Sequence, residues 1–175
     1  FIIGYLMSVV TLVVAQLYIL AQGGTMISLE NYGLTLLVLL LAGFCNTAMI
    51  FFFAAFFTTE TAFSTASTIL GTLIGFVTGI YSPIGVLPES VQWIIKLFPT
   101  SHAVVLLRQI LTDAEIAPYA AALPASVMTD IDRSLGIRYF FGDTPLPAYA
   151  SLLILAGVGV LFCLLSLIHV TRKQA

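Results

Sequence analysis

Charge is scarce in this sequence, which has six basic and eight acidic residues among 175. Soluble domains carry about 25% charged residues, whereas this chain carries 8%. The few charges leave four blocks that contain none, each 28 or 29 residues long. These blocks are Phe1–Leu29, Asn31–Thr59, Thr61–Pro88 and Thr144–Thr171. Because about 20 apolar residues suffice to cross a bilayer as a helix, the pattern predicts an all-α, polytopic helical membrane protein.

Motifs for catalysis, metal binding and nucleic-acid binding are also missing. The two cysteines, Cys45 and Cys163, both lie in apolar blocks with no His or Asp at ligand spacing, so we expect no metal site. The sequence contains no phosphate-binding loop, GxSxG elbow or paired-His zinc motif. It has no run of basic residues that would favour nucleic acid. We therefore expect no enzyme activity and no cofactor in this chain by itself.

The apolar blocks predict one transmembrane domain over residues 1–175. We expect spans at about 1–21, 33–57, 62–81 and 147–170, with an external loop at about 112–146. Only Thr58-Thr59-Glu60-Thr61 separates the second span from the third, which makes those two antiparallel neighbours. The chain begins with Phe1 inside an apolar run, so we interpret it as part of a protein that starts further upstream.

The third predicted span contains a ladder of small residues, with Gly71, Gly75 and Gly79 at a spacing of four. Small residues let helix backbones approach closely in lipid, where packing rather than hydrophobicity drives association. The ladder predicts a helix-packing face and the most protein-covered span. The alternative is that glycine is simply commoner in membrane helices.

The segment from Pro83 to Leu111 predicts a re-entrant helical hairpin before the last span. Pro83, Pro88 and Pro99 divide it into two helices, each too short to cross. Within it, His102 is either a titrating switch or a residue of the helix start or the membrane interface. Arg108 either binds a lipid phosphate or a substrate anion, or it is an interface residue that pairs with Glu89 or extends to water.

Orientation follows from the basic residues Arg172 and Lys173, which predict a cytoplasmic C-terminus. The acidic loop then lies outside, and the corner at Glu60 lies in the cytoplasm. Glu60 is either a contact for a cytoplasmic partner or the polar tip of a tight turn.

A family resemblance emerges from Gly79, Pro83, Leu87-Pro88, Pro99 and Leu107-Arg108, in that order after a span rich in small residues. This arrangement resembles the permease of type-2 ABC transporters. In that family a re-entrant pair with a central proline precedes the last of six spans, so the resemblance identifies this chain as the C-terminal four. It implies a membrane-spanning permease of an ATP-driven exporter that forms the substrate path with a second copy. It also implies a separate ATP-binding cassette subunit, which holds ATP and magnesium, and a multi-pass location in a bacterial inner or plasma membrane.

Two alternatives remain from the residues themselves. One is a non-transporting membrane scaffold or immunity protein. The other is an intramembrane enzyme that uses His102 or His169, for which the sequence offers no second catalytic group.

Overall fold

Seven helices and one small hairpin make up the fold. The computed structural model describes the backbone of residues 1–174, and the side chains in that range except those at 113–115, 117–119, 121 and 172–174. The helices are α1 (Ile2–Ala21), α2 (Leu29–Ala54), α3 (Glu60–Val77), α4 (Glu89–Leu97), α5 (Pro99–Ala122), α6 (Ala125–Leu135) and α7 (Ala148–Gln174), and a short 3₁₀ turn occupies Ile84–Val86. Strands β1 (Phe140–Phe141) and β2 (Thr144–Pro145) pair antiparallel.

Local capping explains where the helices begin and end. The Ser28 hydroxyl accepts from the backbone N–H of Asn31 at the start of α2, and the Thr59 hydroxyl does the same for Ala62 in α3. Helix α6 ends at Gly136, whose φ of 64° is left-handed and therefore favours glycine. The capping residues thus fix the corners on both sides of α2.

Within the described residues, three helices are long and apolar enough to cross a membrane: Ile2–Ala21, Leu29–Ala54 and Ala148–Thr171. They correspond to the first, second and last predicted spans. The bent pair of α4 and the first part of α5 would be a fourth if it formed one span. Helix α3 has 18 residues, about 27 Å at 1.5 Å per residue, and its Ser and Thr side chains make it less apolar. An all-helical membrane fold agrees with the prediction, although α3 lies outside the set of long apolar helices.

The segment predicted as an external loop at about 112–146 is instead largely helical. Helix α5 continues past Leu111 to Ala122, and α6 and the β-hairpin follow it. The segment is therefore not irregular, because alternating apolar and charged residues can also form an amphipathic helix such as α6. Its position outside the membrane stays a prediction.

The core lies between α2, α5 and α7. Its buried residues are Val38, Cys45, Met49, Ala103, Leu106 and Leu155. Helices α2 and α7 run parallel, since Gly159 lies against Cys45 and the His169 ring lies 5.0 Å from that of Phe56. Helix α5 runs antiparallel to α2, because Thr100 contacts Asn46 whereas Ile110 contacts Asn31. A second cluster of Ile84, Ile95, Val105 and Tyr139 joins α4 and α5 to the 3₁₀ turn and to the residue before β1.

Helix α3 packs little within this chain. Gly75 is its one buried residue, whereas α2 has five. Within the single chain α3 is therefore not the most protein-covered span, although Phe63 and Leu70 do face α2. Packing of its small-residue face against another polypeptide stays a prediction.

Candidate functional site

The break between α4 and α5 forms a right-angled elbow, which we define as residues 98–100. The two helix axes differ in direction by 92°. Pro99 lacks a backbone N–H and cannot continue α4, so the chain turns there. The buried Ser101 hydroxyl lies 2.5 Å from the carbonyl oxygen of Ile95 and 2.6 Å from that of Phe98. These two carbonyls also accept from the backbone N–H groups of Phe98 and Ser101, so the hydroxyl adds a further hydrogen-bond donor at the turn after α4.

Side-chain hydrogen bonds attach the elbow to α2 and α7. The Thr100 hydroxyl donates to the side-chain oxygen of Asn46 at 2.7 Å. His102 is 1% exposed; its Nε2 lies 2.8 Å from the carbonyl oxygen of Lys96, and its Nδ1 lies 3.1 Å from the Ser151 hydroxyl. Because a carbonyl only accepts, Nε2 carries the proton and Nδ1 accepts from Ser151. His102 is therefore a buried structural residue that ties α4 and α5 to α7.

Arg108 joins the ends of two other helices. Its guanidinium donates to the carbonyl oxygens of Thr78 and Gly79, at 3.2 and 2.9 Å, just after α3. It also donates to Leu135 and Gly136, at 3.1 and 3.4 Å, where α6 ends. The carbonyl ends of helices carry partial negative charge that a cation stabilises. The described salt bridges do not include one between Arg108 and Glu89. Binding of a lipid phosphate or a substrate anion by Arg108 stays a prediction.

The three glycines of the ladder have different surroundings. A Cβ at Gly75 would collide with the Tyr81 ring, whereas a Cβ at Gly71 would meet open space. Gly79 lies beyond the end of α3 with a φ of +69°, beside Ile84 and Arg108. Within this chain Gly79 therefore forms a turn, Gly75 packs against the Tyr81 ring, and Gly71 has open space beside it. Packing of this face against another polypeptide stays a prediction.

The remaining predicted residues mark boundaries. Pro83 precedes the 3₁₀ turn, and Pro88 directly precedes α4 with extended backbone. Glu60 is exposed in the first turn of α3. The structure brings Gly79 and Arg108 together, and it places Glu60 at the opposite end of α3.

Two residues that hold the elbow were missed by sequence reasoning. Asn46 could have been found, because an amide side chain within an uncharged apolar block suggests a hydrogen bond to another helix. Ser151 carried none, because serine is common in membrane helices and nothing in the sequence pairs it with His102.

An apolar cavity of about 310 Å³ opens between α2 and α3. Phe53 and Phe57 line it from α2, Ser67 and Leu70 line it from α3, and Phe98 and Thr100 of the elbow close one end. Asp, Glu, Lys and Arg are absent from its lining within the described part of the chain. Such a cavity suits an uncharged or amphipathic molecule better than an ion.

Comparison with known proteins agrees with this architecture. A family model described as "ABC-2 family transporter protein" matches residues 1–168. No curated protein and no solved structure matches the chain. Since the family match covers almost all of the sequence, this chain belongs to the ABC-2 family of transporter proteins and is a membrane permease component of an ABC transporter.

Proposed function

We propose that this chain is the membrane-spanning part of an ATP-driven exporter, and that it forms a substrate path with a second permease copy. A separate ATP-binding cassette subunit holds ATP and magnesium and supplies the hydrolysis. The observation that carries the proposal is the uncharged cavity between α2 and α3, which the elbow closes at one end.

The directions of the helices support four spans and a re-entrant elbow. Because α2 and α7 run parallel, the chain between them crosses the membrane once more in the opposite direction. Helix α3 makes that crossing. The contact of Arg108 with Thr78 puts this part of α5 at the level where α3 ends. Thr100 lies eight residues earlier, about 12 Å along the helix, so α4 and α5 enter and leave the membrane on one side.

The exposed side of α3 supports a second copy. Its residues Ile69, Leu73 and Phe76 are 56%, 51% and 55% exposed, respectively. Two copies that face each other across this helix would complete a wall around the cavity. Substrates that are lipid-like or amphipathic suit its uncharged lining.

Orientation and coupling belong to the same proposal. Arg172 and Lys173 favour a cytoplasmic C-terminus, which puts the corner at Glu60 on the cytoplasmic side. Glu60 is exposed and is the one charge between α2 and α3. We assign it a contact with the ATP-binding subunit. Glu60→Ala should then weaken association of the two subunits or lower the rate of ATP hydrolysis. If neither changes, Glu60 does not contact the ATP-binding subunit and is only part of a turn.

The test of transport uses the full-length permease, purified with its ATP-binding subunit in lipid. We expect basal ATP hydrolysis that rises when an amphipathic substrate is added. Ser67→Trp should fill the cavity and abolish the rise while basal hydrolysis persists. Thr68→Trp is the matched control, because Thr68 is exposed on the same helix and does not line the cavity.

Equal stimulation in both tryptophan variants would contradict the assignment of this cavity as the substrate path. A full-length protein without any ATP-binding partner would contradict the exporter itself and would favour the scaffold.

A further inference from the structure

The apolar cavity between α2 and α3 has one amide side chain in its described lining, that of Asn46. Met49, Ile50 and Phe53 line the same wall, three, four and seven residues further along α2. These spacings place the four side chains on one face of the helix. Among the described lining residues of α2, Asn46 is the one whose side chain can form hydrogen bonds. It therefore decides which polar contact this wall offers to a bound molecule.

The oxygen and the nitrogen of this amide have different surroundings. The oxygen accepts from the Thr100 hydroxyl at 2.7 Å. The nitrogen has no hydrogen-bond partner among the described residues. It is also not enclosed by protein, because the enclosed side-chain atoms without a partner belong to Gln16, Thr35 and Tyr139. Since Asn46 lies on the cavity face of α2, its two N–H donors are accessible from the cavity.

The Thr100 hydroxyl also fixes the direction of the amide. Thr100 is buried at the start of α5 and lines the cavity together with Phe98. Because its hydroxyl holds the oxygen of the planar amide group, the nitrogen points away from that hydroxyl. A donor that is already oriented loses less conformational entropy when a ligand binds. The elbow thus presents the N–H groups of Asn46 in a defined direction.

The opposite wall provides a second polar group, the hydroxyl of Ser67. Its neighbours Thr65, Thr68 and Thr72 each donate to the carbonyl oxygen four residues earlier in α3. Ser67 makes no such bond within the described part of the chain. Because a hydroxyl can donate or accept, α3 can contribute a further hydrogen bond to a molecule that lies between the two helices.

The rest of the lining determines what the body of the ligand is. Four phenylalanine rings line the cavity, and those of Phe57 and Phe63 meet edge to face across it, with 5.9 Å between their centroids. Such rings pack well against other rings and against hydrocarbon. A carboxylate would be unfavourable here, since a buried charge needs a partner of opposite charge and the described lining contains none. A neutral acceptor on an apolar body satisfies both conditions.

We propose that Asn46 selects the substrate of this cavity by donating a hydrogen bond to a carbonyl oxygen. The substrate class is then an uncharged molecule with an apolar, ring-containing body and a neutral acceptor. This inference rests on the proposed transport function, because it names the substrate class of the same cavity. Binding itself requires no ATP, so recognition and transport can be measured separately.

The test uses the full-length permease with its ATP-binding subunit in lipid nanodiscs, first without ATP. Benzophenone attaches to nearby C–H bonds when it is irradiated, and mass spectrometry measures how much of α2 and α3 it labels. Dibenzyl ketone and 1,3-diphenylpropane, which differ by a carbonyl in place of a methylene, are added as competitors. With concentrations expressed in the lipid phase, the ketone should halve the labelling at about three- to tenfold lower concentration, the effect of one neutral hydrogen bond.

Two variants separate recognition from support of the elbow. Asn46→Leu has a similar size but no donor, and it should make the two competitors equally effective. Thr100→Val is the matched control, because it removes the same hydrogen bond between α2 and the elbow but leaves the amide N–H groups in place. The preference for the ketone should persist in Thr100→Val. The anion diphenylacetate should compete less well than the ketone in the unmodified protein.

Equal competition by the ketone and the hydrocarbon in the unmodified protein would overturn the proposal, and this result does not depend on the folding of any variant. A preference that survives in Asn46→Leu, or that disappears in Thr100→Val, would also overturn it, as would stronger competition by diphenylacetate. Addition of ATP then tests transport. If the preference is present but the ketone leaves ATP hydrolysis unchanged, the transport function is wrong while the recognition site stands. An equal rise in hydrolysis with both competitors would support transport and contradict recognition by Asn46.

Discussion

The imidazole of His102 accepts a hydrogen bond from the hydroxyl of Ser151, with 3.1 Å between Nδ1 and Oγ. The two residues are 49 positions apart and belong to α5 and α7. Both are almost fully buried. Since the other ring nitrogen donates to the carbonyl of Lys96, one side chain connects three helices at the elbow.

Removal of this hydrogen bond should destabilise the protein. Ser151→Ala leaves Nδ1 buried without a donor, which typically costs about 1–3 kcal/mol. We expect a lower thermal unfolding midpoint in detergent. Ser8→Ala is the control, because the Ser8 hydroxyl bonds within α1 to the Gly4 carbonyl. Equal midpoints for the two variants would show that the contact contributes nothing to stability.

Substitution of Arg108 should loosen two helix ends together. In Arg108→Lys the side chain ends in a compact ammonium group. It cannot replace the planar, forked guanidinium, which donates to carbonyl oxygens at the ends of both α3 and α6. We expect faster hydrogen exchange of the backbone amides near Gly79 and near Gly136. Arg133→Lys, at an exposed site, is the control. Faster exchange at only one of the two places would contradict the joint role.

The glycines of α3 offer a matched pair of substitutions. Gly75→Leu must displace the Tyr81 ring, and overpacking of this kind costs about 1–3 kcal/mol. Gly71→Leu meets open space, so the single chain should fold normally. If the ladder packs against a second copy, Gly71→Leu should still reduce dimer recovery in crosslinking experiments. Unchanged assembly of Gly71→Leu would mean that this face contacts lipid.

The proposed re-entrant arrangement of α4 and α5 predicts that both of its ends are accessible from the same side. In a background without Cys45 and Cys163, single cysteines at Glu89 and Thr112 should both react with an impermeant thiol reagent applied to the outer face. A cysteine at the exposed Thr58, between α2 and α3, should react only from the other face. Labelling of positions 89 and 112 from opposite sides would make α4 and α5 a fifth span.

Asp132 predicts a pH dependence of the stability of the protein around α6. Burial raises the pKa of its carboxyl above the ordinary 3.8, and the nearby Arg138 opposes this. The folded state therefore holds the proton more tightly than the unfolded state, and stability falls as pH rises through this range. Relative to Asp132→Asn, the unmodified protein should show a falling thermal unfolding midpoint as the pH rises from the ordinary pKa of 3.8 through the raised folded-state pKa. A constant difference across that range would contradict the shift, and Asp143→Asn at an exposed site is the control.

The sequence by itself determined the helical membrane class, because long uncharged blocks admit few other structures in or near a bilayer. It also located the elbow, since Pro99 must interrupt a helix wherever it occurs inside one. The order of Gly79, Pro83, Leu87-Pro88, Pro99 and Leu107-Arg108 was enough to indicate the ABC-2 family, which the family match confirms.

Only the tertiary structure decided what the polar residues do. Arg108 meets carbonyls from residues 78, 79, 135 and 136, and no local pattern predicts partners so far apart along the chain. Nothing in the sequence distinguishes Ser151 from the other serines, and only the packing of α7 against α5 places it next to His102. The right angle between α4 and α5, and the helix in place of the expected loop, likewise depend on packing between distant segments. Prolines in the sequence located the break at Pro99, whereas α5 continues through Pro118 to Ala122. Contacts between distant segments decide the directions of the helices and the partners of their buried polar groups.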